Sequence, residues 1–449
     1  MTLLPVVLLS AATAEAHPVS GVAAWILDLP DHGLLALTAM AYLGTLAVSR
    51  VAVSLRVPAV LGVLLFGALL NPGDGLFSHG LVENLHTVSL SMLLFYAGLN
   101  AELHHIRGFL RYGMLLAMGG VVVTALVLGG LIWGVYGGLA QLLPSTWLQP
   151  MPLGLCLMAA AALASTDAGA TLGVLRSVRT LVPKRIRALL EFESSLNDPA
   201  AVLFLFLLIG LNTSGHGGTG LGLIGEELQV FLKGVGTGVM VGLLLTYVAQ
   251  FVISHLVVSR DQILIVGIAI AISAYGFAEL LHGSGLVAAY VTGLFLANNI
   301  YDNDLITPEL LENSLEPFNT MMEITVFLLF GALVQPLHIL QALPQGLLVA
   351  LLLMLVARPV SVLLFQRWSP FDRASSGLIA WCGLRGAVSL ALGYNVVSAI
   401  PQMQGLPEGL VAPLQGQVEG LIFAVVFFNL LIQGLSLPPL CSWLARHRA

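Results

Sequence analysis

The chain has 449 residues, of which 58% are hydrophobic and 9% charged, with a mean hydropathy of +0.96 and a formal net charge of −6. A soluble chain carries about 25% charged residues, so this composition excludes a water-exposed globular surface and describes an all-α polytopic membrane protein. Nucleic-acid binding is excluded because no aromatic-interleaved basic patch occurs.

Residues 2–14 are apolar and end in Ala14-Glu15-Ala16, similar to a signal-peptide cleavage pattern but without a basic leading region. Residues 1–32 are therefore an N-terminal segment, either a cleaved signal peptide or a short interfacial stretch. A bilayer core about 30 Å thick needs about 20 apolar residues per helix. The apolar runs predict about thirteen transmembrane helices, at approximately 33–53, 57–71, 85–103, 112–137, 151–175, 189–211, 226–255, 262–281, 283–301, 318–336, 342–366, 374–398 and 417–441. The runs are continuous rather than alternating, which excludes a β-barrel. Residues 33–441 thus form one membrane domain, and 442–449 a short tail.

The basic residues orient it. Arg50, Arg56, Arg107, Arg111, Arg176, Arg179, Lys184, Arg185, Arg187, Arg260, Arg367, Arg373, Arg446 and Arg448 fall in alternate loops or the tail, and the other loops hold none. The positive-inside rule places those loops and the C-terminus in the cytoplasm and the N-terminus outside. The loop Tyr301–Pro317, on the same side, is acidic. Lys233, Arg358 and Arg385 lie inside predicted spans.

Cys156, Cys382 and Cys441 sit far apart in apolar stretches, so neither a disulfide framework nor a Cys-x-x-Cys metal site is available. Gly234, Gly238 and Gly242 form a small-residue stripe for close helix packing. The Gly-rich stretch Ser214–Gly220 lacks the Lys-Ser/Thr ending of a phosphate cradle. His282-Gly283-Ser284-Gly285 reads as a helix junction rather than a serine nucleophile, because no general base accompanies it. Glu279 and Glu323 lie near predicted span ends and read as interfacial.

Two spans are interrupted: the fifth at Ala164-Ser165-Thr166-Asp167-Ala168-Gly169-Ala170, the twelfth at Gly383-Leu384-Arg385-Gly386-Ala387. Breaks in corresponding halves point to inverted repeats with a site at the midplane. The densest intramembrane charge is Glu191-Phe192-Glu193-Ser194-Ser195-Leu196-Asn197-Asp198-Pro199 in the sixth span. Ser194 and Asp198 share a helix face, as do Glu193 and Asn197, and Pro199 frees the Ser195 carbonyl. Glu191 reads as solvated at the start of the span, whereas Asp198 lies nearly half-way in. Such a convergence of oxygen ligands suits a hard cation. Asp167 either compensates the positive end of a half-helix or ligates an ion, and Thr166 offers its carbonyl and hydroxyl. Arg385 is expected to answer the negative end of its own half-helix. Arg358 needs a buried partner, and Glu193 is the best candidate.

Ser165-Thr166-Asp167, Glu193-Ser194 with Asn197-Asp198, and Gly383-Leu384-Arg385-Gly386-Ala387 together resemble the cation/proton antiporter family of the NhaP and Na⁺/H⁺ exchanger type, over about residues 33–441. The resemblance implies a core of about 112–211 and 342–441 with two crossed discontinuous helices, a dimerisation scaffold from the remainder, a homodimer and elevator-like motion. It implies electroneutral exchange of Na⁺, with Li⁺ as a further candidate, for H⁺ across a bacterial-type inner membrane, serving pH and sodium homeostasis. Asp198 would be the exchanged cation and proton site, with Asp167, Thr166 and Ser194 close to the ion, Asn197 supporting it, and Glu193 paired with Arg358. No cofactor, catalytic residue or metal beyond the transported cation is implied. Two departures stand out: Ala168 where relatives often have proline, and Tyr96 in Phe95-Tyr96-Ala97 where relatives often carry an acidic residue. Tyr96 is thus a third-span contact without a carboxylate. The alternatives are K⁺/H⁺ antiport, a channel or uniporter, and an intramembrane hydrolase using Ser284.

Overall fold

The computed structural model describes residues 31–55, 57–70, 79–101, 109–142, 149–175, 182–213, 221–299, 301–302 and 305–448. The signal-like segment, the Ser214–Gly220 stretch, Arg56, Arg107, Arg176 and Arg179 lie outside them. Among the described residues every regular element is helical. The helices are α1 Asp31–Ser54, α2 Ala59–Leu70, α3 His79–Leu99, then α4, which runs from Leu110–Met114 through a π-turn at Leu115–Gly119 into Gly120–Leu142. There follow α5 Leu153–Ala162, α6 Ala168–Leu175, α7 Lys184–Thr213, α8 Leu221–His255, α9 Gln262–Leu280, α10 Gly285–Ala297 and α11 Pro308–Leu333. The last are α12 (Pro336–Leu352, a π-turn at Leu353–Ala357, Arg358–Leu364), α13 Arg373–Trp381, α14 Ala387–Ala399 and α15 Glu408–Arg448.

Among the described residues six stretches are long and apolar enough to cross a membrane: Leu110–Gly138, Lys184–Thr213, Leu228–His255, Gln262–Leu280, Pro336–Leu364 and Glu408–Trp443. Shorter apolar helices, α2, α5 and α10, accompany them. Leu69, Met240, Tyr247 and Leu280 are 71–83% exposed on the outer surface, a placement that water penalises and hydrocarbon does not. Within the bundle, α3 and α10 touch backbone to backbone: a Cβ on Gly98 would overlap the Tyr290 carbonyl, and one on Gly293 the Phe95 carbonyl. This is the small-residue packing that lipid-embedded helices use. The Gly238–Gly242 part of the glycine stripe packs likewise on α10, against the carbonyls of Ser284 and Ala288.

The fifth and twelfth predicted spans are each two helices. Chain between α5 and α6 is non-helical at Leu163–Asp167, and between α13 and α14 at Cys382–Gly386. By contrast α7 continues unbroken past Pro199, because a single proline removes one hydrogen bond without forcing a break when neighbours hold the helix.

Two boundaries differ from expectation in ways that matter. α11 starts at Pro308, ten residues before the predicted span at 318, so most of the acidic Tyr301–Pro317 stretch is helix rather than loop. Thr307 caps it, its hydroxyl accepting from Leu310 N–H, with Pro308 in the first turn and Glu309 beside it. Those are standard helix-start signals, outweighed in a reading that followed hydropathy alone. α15 likewise continues through the expected tail to Arg448.

Candidate functional site

The two breaks face each other and are hydrogen-bonded together. Asp167 N–H donates to the Leu384 carbonyl at 2.8 Å, and the Ser165 and Ser389 hydroxyls lie 3.1 Å apart. Arg385, 1% exposed, donates from Nη1 to the carbonyls of Ala164 at 2.8 Å and Ser165 at 2.6 Å. Its own N–H donates to Asn429 Oδ1 on α15 at 2.8 Å. Arg385 therefore answers the carbonyl end of α5, not that of its own half-helix α13 as local sequence suggests. The orphan carbonyls of one half-helix are an anionic partner, and packing of the two breaks brings the neighbouring set within reach.

Asp167 ends the first break as the cap of α6. Its Oδ1 accepts from Ala170 N–H at 2.8 Å, and its carbonyl accepts from the Thr171 hydroxyl at 2.6 Å. Any Cβ at Gly386 would collide with the Asp167 carboxylate, so only glycine lets α14 begin there. Thr166 is gripped from α7: its carbonyl accepts from the Ser194 hydroxyl, its N–H donates to Asn197 Oδ1 at 3.3 Å, and its hydroxyl accepts from Asn197 Nδ2. Asn197 is 1% exposed and is spent on this grip. The irregular backbone at the break is thus satisfied by side chains rather than water, as membrane depth requires.

Asp198 falls in the middle of α7 and is half-buried. Together with Ser165, Thr166, Asp167, Ser194, Ser195 and Tyr96 it lines a cavity of about 1710 Å³. The cavity extends past Asn100, Glu191 and the face Glu312, Glu316, Asn319, Thr320, Glu323 of α11, to Val53, Val57, Pro58, Lys184 and Arg185 at one end of the bundle. Elsewhere α14 meets α3 and α11: His86 Nε2 lies 2.8 Å from the Ala391 carbonyl, its ring 4.7 Å from that of Tyr394, among Val82, Leu329, Phe330, Leu333 and Leu390.

Neither intramembrane arginine faces this cavity. Arg358, 3% exposed, pairs with Glu193, 1% exposed, through two contacts of 2.5 and 2.9 Å. A fork-to-carboxylate pair of this kind is the geometry in which burial of two charges is tolerated. Glu193, Asn197, Arg358 and Arg385 therefore hold the frame, while Asp198, Asp167, Thr166, Ser194 and Tyr96 border the void. Among the described residues no group of three His, Cys, Asp or Glu side chains has metal-site geometry.

Sequence reasoning missed two residues here. Glu323 is not interfacial but lies well inside α11 on the cavity wall, a consequence of that helix starting earlier. Asn429 is fully buried and fixes the second break. Its one available signal was a lone polar side chain in the apolar run Phe427-Phe428-Asn429-Leu430. Ser284, by contrast, caps α10 by accepting from Val287 N–H, the helix-junction role expected of it.

A K⁺/H⁺ antiporter NhaP of Alkalimonas amylolytica is 30% identical over 358 residues, which are 80% of this chain and 57% of that protein. The chain therefore spans little more than half the length of this relative. A Na⁺/H⁺ antiporter NhaP of Pseudomonas aeruginosa is 27% identical over 369 residues, 80% of each chain. The structure of the sodium proton antiporter MjNhaP1 from Methanocaldococcus jannaschii at pH 8 shares the fold, with a TM-score of 0.75 at 20% identity over 92% of this chain and 97% of that one. The model of the transmembrane sodium/hydrogen exchanger family matches residues 35–443, nearly the whole chain, and the chain belongs to that family.

Proposed function

We propose that the protein is a secondary antiporter that exchanges Na⁺ for H⁺ at Asp198. One observation carries this reading: a carboxylate at the centre of a membrane helix opens on a large cavity, beside Asp167, Thr166 and Ser194, while both buried arginines are committed elsewhere. An ionised carboxylate at that depth is costly, so Asp198 is answered by a proton or by one dehydrated cation, and not by both. The empty ionised site is held back from crossing, whereas either loaded form is neutralised and crosses. Obligatory exchange follows, driven by the two gradients alone. One cation for one proton makes the cycle electroneutral, and such a carrier uses no cofactor and forms no covalent intermediate.

Further features support the rest of the reading. The cavity ends beside Lys184, Arg185 and the α1–α2 junction next to Arg50, the basic side that the positive-inside rule assigns to the cytoplasm. This favours an inward-open state of an inner-membrane protein with N-terminus outside. Inverted repeats are supported by a second pair of matched irregularities: the helix before each broken pair, α4 and α12, carries a π-turn. On this reading α4–α7 and α12–α15 form the core, with the two half-helix pairs crossing at their breaks. The remaining helices form a homodimeric scaffold against which the core moves.

K⁺ in place of Na⁺ is the second reading, favoured by the K⁺/H⁺ antiporter named among the relatives. Proteoliposomes holding an acid interior and a pH dye test both. Addition of Na⁺, Li⁺ or K⁺ is expected to collapse the proton gradient with wild-type protein and not with Asp198→Asn. The rates are expected to fall at low pH, where protons outcompete the cation, and at high pH, where protons are scarce. Exchange retained by Asp198→Asn would refute the mechanism. Cation movement without proton movement would move a channel or uniporter ahead.

A further inference from the structure

We infer that Glu323 supplies a third carboxylate to the transported cation, from α11 across the cavity from Asp167 and Asp198. The inference rests on the antiporter reading. Depth comes first. Met322 Sδ accepts from the Ser89 hydroxyl at 3.6 Å, and the Thr325 and Tyr42 hydroxyls lie 2.6 Å apart. Ser89 and Tyr42 are near the middle of α3 and α1, so Glu323, between these anchors, lies at mid-depth. It lines the same cavity as Asp167 and Asp198, near enough to Asp167 for the two charges to act on each other.

Charge comes second. Among the described residues Glu323 has no ion pair, Arg358 and Arg385 are turned away, and Lys184 and Arg185 lie at the far end of the cavity. Asp167, Asp198 and Glu323 are half-buried carboxylates on one cavity, and their mutual repulsion is relieved by a cation or a proton. The α3 side of the void offers Tyr96 and Asn100, neither of them charged, and Glu316 and Glu312 lie successively farther from Glu323 along α11.

Third, among the described residues a buried oxygen beside Glu323 lacks a hydrogen-bond partner: Asn319 Oδ1, a helical turn before it on the cavity wall. Buried polar atoms are nearly always partnered, and unpartnered oxygens next to carboxylates are what a hard cation takes up. The cation is thus shared between the two-break bundle, through Asp198 and Asp167, and the helix facing it, through Glu323.

The test is initial rates of cation-driven proton efflux from proteoliposomes, titrated with Na⁺ and with K⁺ at fixed pH and ionic strength. Wild type, Glu323→Gln, Glu323→Asp and Glu312→Gln are compared, each shown monodisperse by size exclusion. Loss of one charged ligand is expected to raise the apparent KM about tenfold in Glu323→Gln, with maximal rate within about threefold of wild type. Glu323→Asp is expected to fall between, and Glu312→Gln to stay within about twofold. Wild-type KM in Glu323→Gln overturns the inference, as does a fall in maximal rate alone. So does an equal rise in Glu312→Gln, which would make the effect diffuse attraction along the cavity. If Glu323→Gln cannot be purified, Glu323→Asp decides: an unchanged KM overturns the proposal. A wild type that moves no protons with any cation refutes the antiporter reading itself and this inference with it, whereas an active wild type isolates Glu323.

Discussion

The two helix breaks meet in the middle of the bundle, bonded to each other, yet they carry opposite charge in different surroundings. The first presents the Asp167 carboxylate to the cavity, half-buried. The second hides the Arg385 guanidinium at 1% exposure and spends two of its hydrogen bonds on carbonyls of the first. Irregular backbone in a membrane must find internal partners, and a guanidinium, with five donors and a permanent charge, satisfies two neighbouring carbonyls at once, the Ser389 hydroxyl reaching one of them at 3.5 Å. One break is therefore fastened so that the other has a carboxylate to spare. On the proposed mechanism that division separates holding the frame from handling the ion.

Changing each charge in turn tests this division most severely. Arg385→Met removes two charge-assisted bonds, each worth about 1.5–3 kcal/mol, and deprives the buried Ala164 carbonyl of this donor. The expected result is loss of folded protein, read as yield and thermal midpoint. Asp167→Asn is expected to keep the fold, since Asn caps a helix as well as Asp, while lowering cation-driven proton flux by more than tenfold. Equal thermal loss in both variants would erase the distinction.

The Glu193–Arg358 pair extends the same comparison to the frame. Arg358→Leu alone is expected to cost about 3–5 kcal/mol, by leaving Glu193 charged and buried. The double variant Glu193→Leu with Arg358→Leu is expected to recover most of that in thermal melting. Failure to recover would show that the pair stabilises the frame by more than mutual charge compensation.

Gly386→Ala gives a smaller and more selective effect. Its Cβ collides with the Asp167 carboxylate, so Asp167 is expected to be displaced. We expect a fall in flux of roughly tenfold for a stability loss of about 1–3 kcal/mol. Ser284→Ala should do least, costing about 1 kcal/mol as a lost cap with wild-type flux. Loss of function in Ser284→Ala with Asp198→Asn still active would favour hydrolysis over transport.

Much of the site was legible because hydrocarbon is an unforgiving solvent. A carboxylate at Asp198 or a guanidinium at Arg358 inside an apolar run stands out in one sequence, and helical spacing groups Ser194, Asn197 and Asp198. Glu323 escaped for a definite reason. Hydropathy discounted the acidic first half of α11, although Thr307, Pro308 and Glu309 announce the helix start, and a boundary ten residues late turned a mid-helix carboxylate into an apparent interfacial one. Asn429 escaped because its function is a bond to a backbone N–H 44 residues away.

Sequence by itself determined the solvent, the apolar helices, the two interruptions and the identity of the buried charges, since each follows from local composition and the cost of polar groups in lipid. Only the tertiary structure decided who answers whom. It turned Arg385 from its own half-helix to the carbonyls of Ala164 and Ser165, spent Asn197 on Thr166, and set Glu323 across a void from Asp198. Those pairings join residues from 31 to more than 200 positions apart. They depend on how the helices pack, and no local pattern encodes that.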